Sequence, residues 1–240
     1  MKHLPTLGRL VLLCGAYTGM DQSKAQASER LQWEAGNLAL TWLQLNLRPG
    51  MHTLETGCGQ STLACLQAGC IHEAITPSAD EIASIQSVAE QRGLDLSLVR
   101  FHHGFSQDIL PHLKGHEDLD VAIIDGGHGF PLPGIDWLYM APRLKVGGKM
   151  LIDDIDLWTG KILLDVLKRE PGWRVNKILH GRTAIVTKLA PFVARDWRQQ
   201  PTVVARSWLP QAWRKFTASV QMLVDPMEVT AANDQGWSKR

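Results

Sequence analysis

Residues 120–155 read DVAIIDGGHGFPLPGIDWLYMAPRLKVGGKMLIDDI. Val121 to Ile124 is an apolar run of strand length that stops at Asp125 and two glycines. Met150 to Ile152 is a second such run, and it stops at Asp153 and Asp154. The segment between them has room for one helix, closed by Lys145, Gly147 and Gly148. The pattern predicts a strand–helix–strand unit, and in a parallel sheet both strand ends fall on the edge where ligands bind. Asp125, Asp153 and Asp154 are therefore expected to meet in space, with His128 beside them. Clustered carboxylates repel unless a cation or proton relieves them. Oxygen ligands of this kind suit magnesium, calcium or manganese. Taken singly, Asp153 or Asp154 reads equally well as a helix or turn cap. The three together with His128 favour a functional edge.

Upstream, MHTLETGCGQSTLACLQAG (51–69) predicts a first strand, a tight turn at Gly57, Cys58 and Gly59, and a helix opened by Ser61 and closed by Gly69. Glycines there let backbone N–H groups approach a ligand closely. The third glycine of a dinucleotide fingerprint is missing, and Glu55 would repel a pyrophosphate, which argues against a nicotinamide dehydrogenase. The same carboxylate suits a cationic group such as an amino-acid ammonium. Strand two is expected over Glu73–Thr76. The next helix is capped by Ser78 with Glu81 three residues on and ends at Gly93. Strand three covers Ser97–His102, followed by Gly104, Phe105 and Ser106.

Beyond the central unit, a helix is expected over Thr159–Arg169, capped by Thr159 or Asp156. Two alternating apolar runs around His180–Gly181 then predict a β-hairpin. The fold expected is α/β, a Rossmann-like doubly wound sheet, mostly parallel, with the C-terminal hairpin completing seven strands. Residues 1–48 are read as an N-terminal helical cap and 49–190 as the ligand-binding α/β domain. In the cap, a helix over Ser23–Leu47 faces inward through Leu31, Leu38, Trp42 and Leu45. Residues 191–240 are read as a tryptophan-rich tail, irregular apart from a short helix near Gln211–Leu223, packed by default on its own domain.

The chain has 240 residues, 25 basic and 24 acidic, so no global basic field argues for nucleic acid. Cys14, Cys58, Cys65 and Cys70 form no CxxC pair and read as reduced thiols of a cytoplasmic protein. The apolar stretch Leu10–Ala16 is short for a signal sequence, and no stretch is long enough to cross a bilayer.

The strand–ETGCG–helix unit, the succession of βα units and the terminal hairpin together resemble the class I S-adenosylmethionine (SAM)-dependent methyltransferases over Met51–Leu189. Ile124, Asp125, Gly126 and His128, then Asp136, then Leu144, Gly147 and Gly148, then Asp153 and Asp154, form a pattern similar to a bacterial branch related to the metal-dependent small-molecule O-methyltransferases. The resemblance implies that Glu55, Gly57, Gly59 and Ser61 bind the methionine portion of SAM. It implies that Phe105 and Ser106 lie at the adenine end and that Asp125 borders the cofactor. Thr76–Pro77–Ser78 stands where relatives carry a ribose-binding acid, so Thr76 supplies a neutral contact. By the same resemblance, Asp125, Asp153 and Asp154 hold Mg2+ or another divalent cation. His128 is the candidate base, with Asp125 beside it in the catalytic set. The expected function is methyl transfer from SAM to oxygen of a small molecule or sugar, with a homodimer as the expected assembly if the chain associates. The competing reading is a non-catalytic binding or scaffold module that keeps the fold and uses its tail as an interaction surface.

Overall fold

The computed structural model describes residues 38–114 and 118–224. Cys14, Leu31, Trp237 and most of the expected N-terminal helix lie outside the described residues.

The sheet has seven strands in the order β3-β2-β1-β4-β5-β7-β6. They are β1 His52–Thr56, β2 Ile71–Thr76, β3 Val99–His103, β4 Leu119–Ile124, β5 Leu144–Ile152, β6 Trp173–Leu179 and β7 Thr183–Lys188. The first five pair in parallel, and β7 runs antiparallel to both β5 and β6. β4 shows why the sheet is buried on both faces. Ala122 and Ile124 point into one core with Met150, Ile152, Met140 and Leu167. Val121 and Ile123 point into the other with Leu151, Ile185, Ala64 and Cys65. A continuous apolar run is what a doubly covered parallel strand requires.

The helices are α1 over 38–46, α2 Gln60–Gln67, α3 Ala79–Gln91, α4 Ser106–Ile109, α5 Leu132–Arg143, α6 Trp158–Leu167 and α7 Pro201–Val224. Ser78 caps α3 as expected, its hydroxyl accepting from the Glu81 amide at 3.2 Å. The hairpin connection His180–Arg182 takes positive φ at His180 and Gly181.

Several elements depart from expectation. β5 begins at Leu144, so Lys145, Gly147 and Gly148 lie within a strand. The pairing with β4 shifts register there, between Leu119 and Val121. Leu45 of α1 is exposed, and Leu43 with the adjoining Leu47 makes the inward contact instead. Several phases of a leucine-rich helix look alike in sequence. α6 is preceded by Leu157, with no side-chain cap. The Thr159 hydroxyl instead donates to the His128 carbonyl at 2.7 Å. The tail carries a helix of 24 residues rather than a short one. Pro201 sits at its first turn, where a missing N–H costs nothing, and Pro210 does not end it. Trp208 and Trp213 do not pack on the domain, being 66% and 68% exposed.

Candidate active site: a glycine turn facing an acid cluster

A cleft of about 860 Å³ lies at the C-terminal ends of the parallel strands. Its walls come from residues Thr56–Ser61, Thr76–Ser78, Phe105–Gln107, Asp125–Gly127 and Asp153, with Ala39, Leu40 and Leu43 of α1 at one side. The backbone holds these ends together. The Asp125 amide donates to Thr56 O at 3.1 Å and the Asp153 amide to Ile124 O at 2.9 Å. The Gly57 amide donates to Ile75 O at 2.8 Å.

Gly57 has φ +101°, and a Cβ there would lie 2.4 Å from the Asp125 carbonyl oxygen. Only glycine meets both constraints. Gly59 is different: its φ is −172°, ordinary extended backbone, and a Cβ would meet nothing within 4 Å. It is smooth wall facing open cleft, the surface a ligand can lie against. Ser61, Thr76, Phe105, Ser106 and Asp125 also line the cleft.

Glu55 is not on the cleft wall. It is fully buried, and its carboxylate accepts from Ser61 Oγ at 2.5 Å and from Thr62 Oγ1. His72 Nε2 lies 3.1 Å from Glu55 Oε1, and His72 Nδ1 lies 2.8 Å from Thr53 Oγ1. Burial works against a charge on His72, but Cys65 and Glu55 beside the ring outweigh it and push its pKa up to about 10. Glu55 is thus placed to hold the start of α2, and with it the glycine turn. Its acceptors are occupied by the protein's own donors, not directed at a ligand.

On the opposite wall the three expected carboxylates share one edge. One atom each from Asp125, His128 and Asp154 lie within 4.8 Å of one another. Asp153 stands outside that trio and pairs with Arg182 Nη2 at 3.2 Å and with the Thr183 hydroxyl. Asp154 is held from two sides, by His128 Nε2 at 3.1 Å and Arg182 Nη2 at 2.9 Å. It has φ +51°, unfavourable for a residue with a Cβ. Gly160 permits the loop: a Cβ there would meet the Asp154 carbonyl at 2.5 Å.

The electrostatics follow. Asp125 is open to the cleft, but the concave wall removes bulk water from it. That desolvation, then Asp153, Glu55 and Asp154, push its pKa up to about 8, against the pull of Arg182. Burial and then Asp153 raise that of Asp154, opposed by Arg182 and His128. Burial also lifts the Cys58 thiol to about 11, so it is no nucleophile at neutral pH.

Three functional neighbours were missed in the sequence. Arg182 comes from the hairpin turn and Thr183 from the first position of β7. The signal was the antiparallel return of β7 along β5, which pairs Ile152 with Ala184 and so sets Thr183 beside Asp153. Glu81 also lines the cleft, accepting from Thr76 Oγ1 at 2.7 Å.

Residues 54–155 match a family model described as a methyltransferase domain. No curated protein matches the chain in sequence. Among solved structures, a protein from Corynebacterium glutamicum is 16% identical with TM-score 0.54, over 78% of this chain and 98% of that one. The O-methyltransferase TomG from Streptomyces achromogenes, solved with SAM, is 16% identical with TM-score 0.53, over 65% and 79%. An rRNA-methylase candidate from Clostridium thermocellum is 12% identical with TM-score 0.53, over 66% and 98%. Residues 54–155 thus match a methyltransferase domain, carried on a seven-stranded Rossmann-like sheet of the methyltransferase type. Likeness to O-methyltransferases and rRNA methylases alike means that the fold does not choose the acceptor.

Proposed function

We propose that this chain transfers the methyl group of SAM to an oxygen of a small molecule or sugar. The observation that carries the reading is the cleft itself, with a glycine-walled turn on one side and Asp125, Asp153 and Arg182 on the other, and the His128–Asp154 pair beside Asp125. SAM fits this wall: Gly57 and Gly59 present bare backbone, and a side chain at Gly59 would project into the cleft. In this reading residues Gly57–Ser61 receive the methionine portion. Thr76, with Glu81 behind it, faces the ribose, and Phe105 and Ser106 border the base. When bound, SAM supplies the electrophilic sulfonium methyl. The protein orients the acceptor and takes its proton. His128 is the base; with Nε2 held by Asp154, Nδ1 is the nitrogen that accepts from the hydroxyl. Arg182 holds Asp153 and Asp154 in place. In the same reading, residues 1–48 form a cap, 49–190 the catalytic domain and 191–240 an appended tail.

A second arrangement has a specific observation behind it. The ligand atoms of Asp125, His128 and Asp154 are close enough for one divalent cation. Mg2+ or Mn2+ held there would lower the pKa of an acceptor hydroxyl. His128 cannot then also be the base, so the two arrangements exclude each other. Methyl transfer from labelled SAM to panels of hydroxylated small molecules, sugars and rRNA identifies the acceptor class. On the accepted substrate, His128→Gln should lower kcat by about 10²–10⁴-fold while leaving SAM affinity intact. If chelation has no effect, the His128–Asp154 pair works alone. Loss on chelation, restored by Mn2+ and abolished in Asp154→Asn, selects the cation. Labelling of rRNA alone would overturn the small-molecule reading. SAM binding with no transfer to any panel would favour the scaffold alternative.

A further inference from the structure

The tail helix presents a surface outside the cleft. Among the described residues, the side-chain contacts of α7 with the domain lie near its start. There Thr202 is buried and donates to the Asp165 carbonyl at 3.1 Å. From Trp208 to Val220 every residue is exposed. Leu209, Trp213, Phe216 and Val220 follow one another at helical spacings of four and three, so they form one apolar stripe. Leu209 and Trp213 are each 68% exposed and Phe216 60%. The Trp213 and Phe216 rings lie 5.9 Å apart along it. The helix carries Arg206, Arg214 and Lys215, and no Asp or Glu occurs between Trp197 and Val224. Arg206 reaches Asp165 at 3.8 Å. Arg214 and Lys215 meet no carboxylate among the described residues.

We propose that α7 is a peripheral anchor that lies in the interface of an anionic lipid bilayer. The chemistry matches on each count. An interfacial helix needs an apolar face carrying Trp, Phe or Leu and a basic polar face. Indole and phenyl rings suit the headgroup boundary, where one end is apolar and the other wet. The cations answer anionic headgroups, with nothing acidic on the helix to oppose them. A second copy of this helix would bring its cations together with no carboxylate to pair them. Spanning is excluded for α7, because no described helix is long and apolar enough to cross a membrane. The anchor is also continuous with the site loop. Gln200 and Val203 at its base share a small cavity with Phe130, Pro131 and Trp137. Phe130 is itself exposed and lies 6.0 Å from the exposed Trp158 ring.

The test uses the full chain with two vesicle populations, phosphatidylcholine alone and phosphatidylcholine with phosphatidylglycerol. Flotation and a blue shift of tryptophan emission should appear with the anionic vesicles only. Arg214→Gln with Lys215→Gln should weaken binding by roughly 25-fold, about fivefold per cation. Trp213→Glu with Phe216→Glu should abolish it. Both double variants should keep the melting temperature and cofactor affinity of the parent, because these side chains are exposed. Absence of flotation with anionic vesicles would overturn the proposal, as would unchanged flotation of Trp213→Glu/Phe216→Glu. A dimer in light scattering that dissolves in that variant, with no lipid binding, would give the stripe to a second copy and equally overturn it. None of these outcomes depends on methyl transfer.

Discussion

His72→Leu should lower the free energy of unfolding by about 3–5 kcal/mol, the usual cost of stranding one member of a buried pair. The histidine and Glu55 are both fully buried, and the variant leaves Glu55 without its cationic partner and Thr53 without its ring contact. Glu55→Gln added to His72→Leu should recover part of the loss, because no carboxylate is then left unpaired. The pH dependence has a definite sign. The folded-state pKa of His72 is raised from 6.5 to about 10. Its contribution is therefore fully present below the unfolded value and is lost as pH rises through the folded one. Urea melts should show wild type losing stability between about pH 6.5 and about pH 10, and His72→Leu losing distinctly less over that window. Equal slopes, or a cost below about 1 kcal/mol, would mean that the pair is not charged. Because Glu55 also holds Ser61 and Thr62, the same variant should loosen the glycine turn and weaken cofactor binding.

The second large effect belongs to that turn. Gly57→Val requires both a positive φ and a Cβ 2.4 Å from the Asp125 carbonyl oxygen, so the junction of β1 and β4 must move. Loss of SAM binding is expected, together with about 1–3 kcal/mol of stability from backbone strain alone. That pairing could be dismissed as unfolding, so Gly59→Val is the companion. Its backbone is extended and its Cβ meets no atom, so the melting temperature should stay that of wild type. Its side chain would occupy ligand space, and SAM affinity should fall by roughly 5–100-fold, as an overpacked contact does. Undiminished SAM affinity in a folded Gly59→Val would move the cofactor away from this wall.

The comparison of sequence with structure divides by the range of the interaction. Strand ends are local: an apolar run stopping at Asp125, and another stopping at Asp153, fix the sheet edge without further help. The glycine turn is local too, although sequence did not separate Gly57, which the backbone requires, from Gly59, which it does not. Glu55 shows where charge reasoning stops. An acid next to a ligand turn suggests a cationic ligand, yet its partners are Ser61 and Thr62 on the next helix and His72 on a neighbouring strand. Arg182 reaches Asp153 and Asp154 across the hairpin, and only the antiparallel register of β7 reveals it. The tail failed for a different reason. A helix is hard to foresee across two prolines, but Pro201 stands at its first turn and the helix continues past Pro210.

The cleft beside Gly57–Ser61 is expected to hold SAM. Calorimetric titration of SAM and its demethylated product, S-adenosylhomocysteine, into the purified chain tests it without knowledge of the acceptor. One site per chain is expected for each ligand, with Kd on the order of micromolar, or about −8 kcal/mol. Binding should be sharply reduced in Gly59→Val. Neither heat nor thermal shift with either ligand at about millimolar concentration, in a chain that still melts cooperatively, would contradict the account.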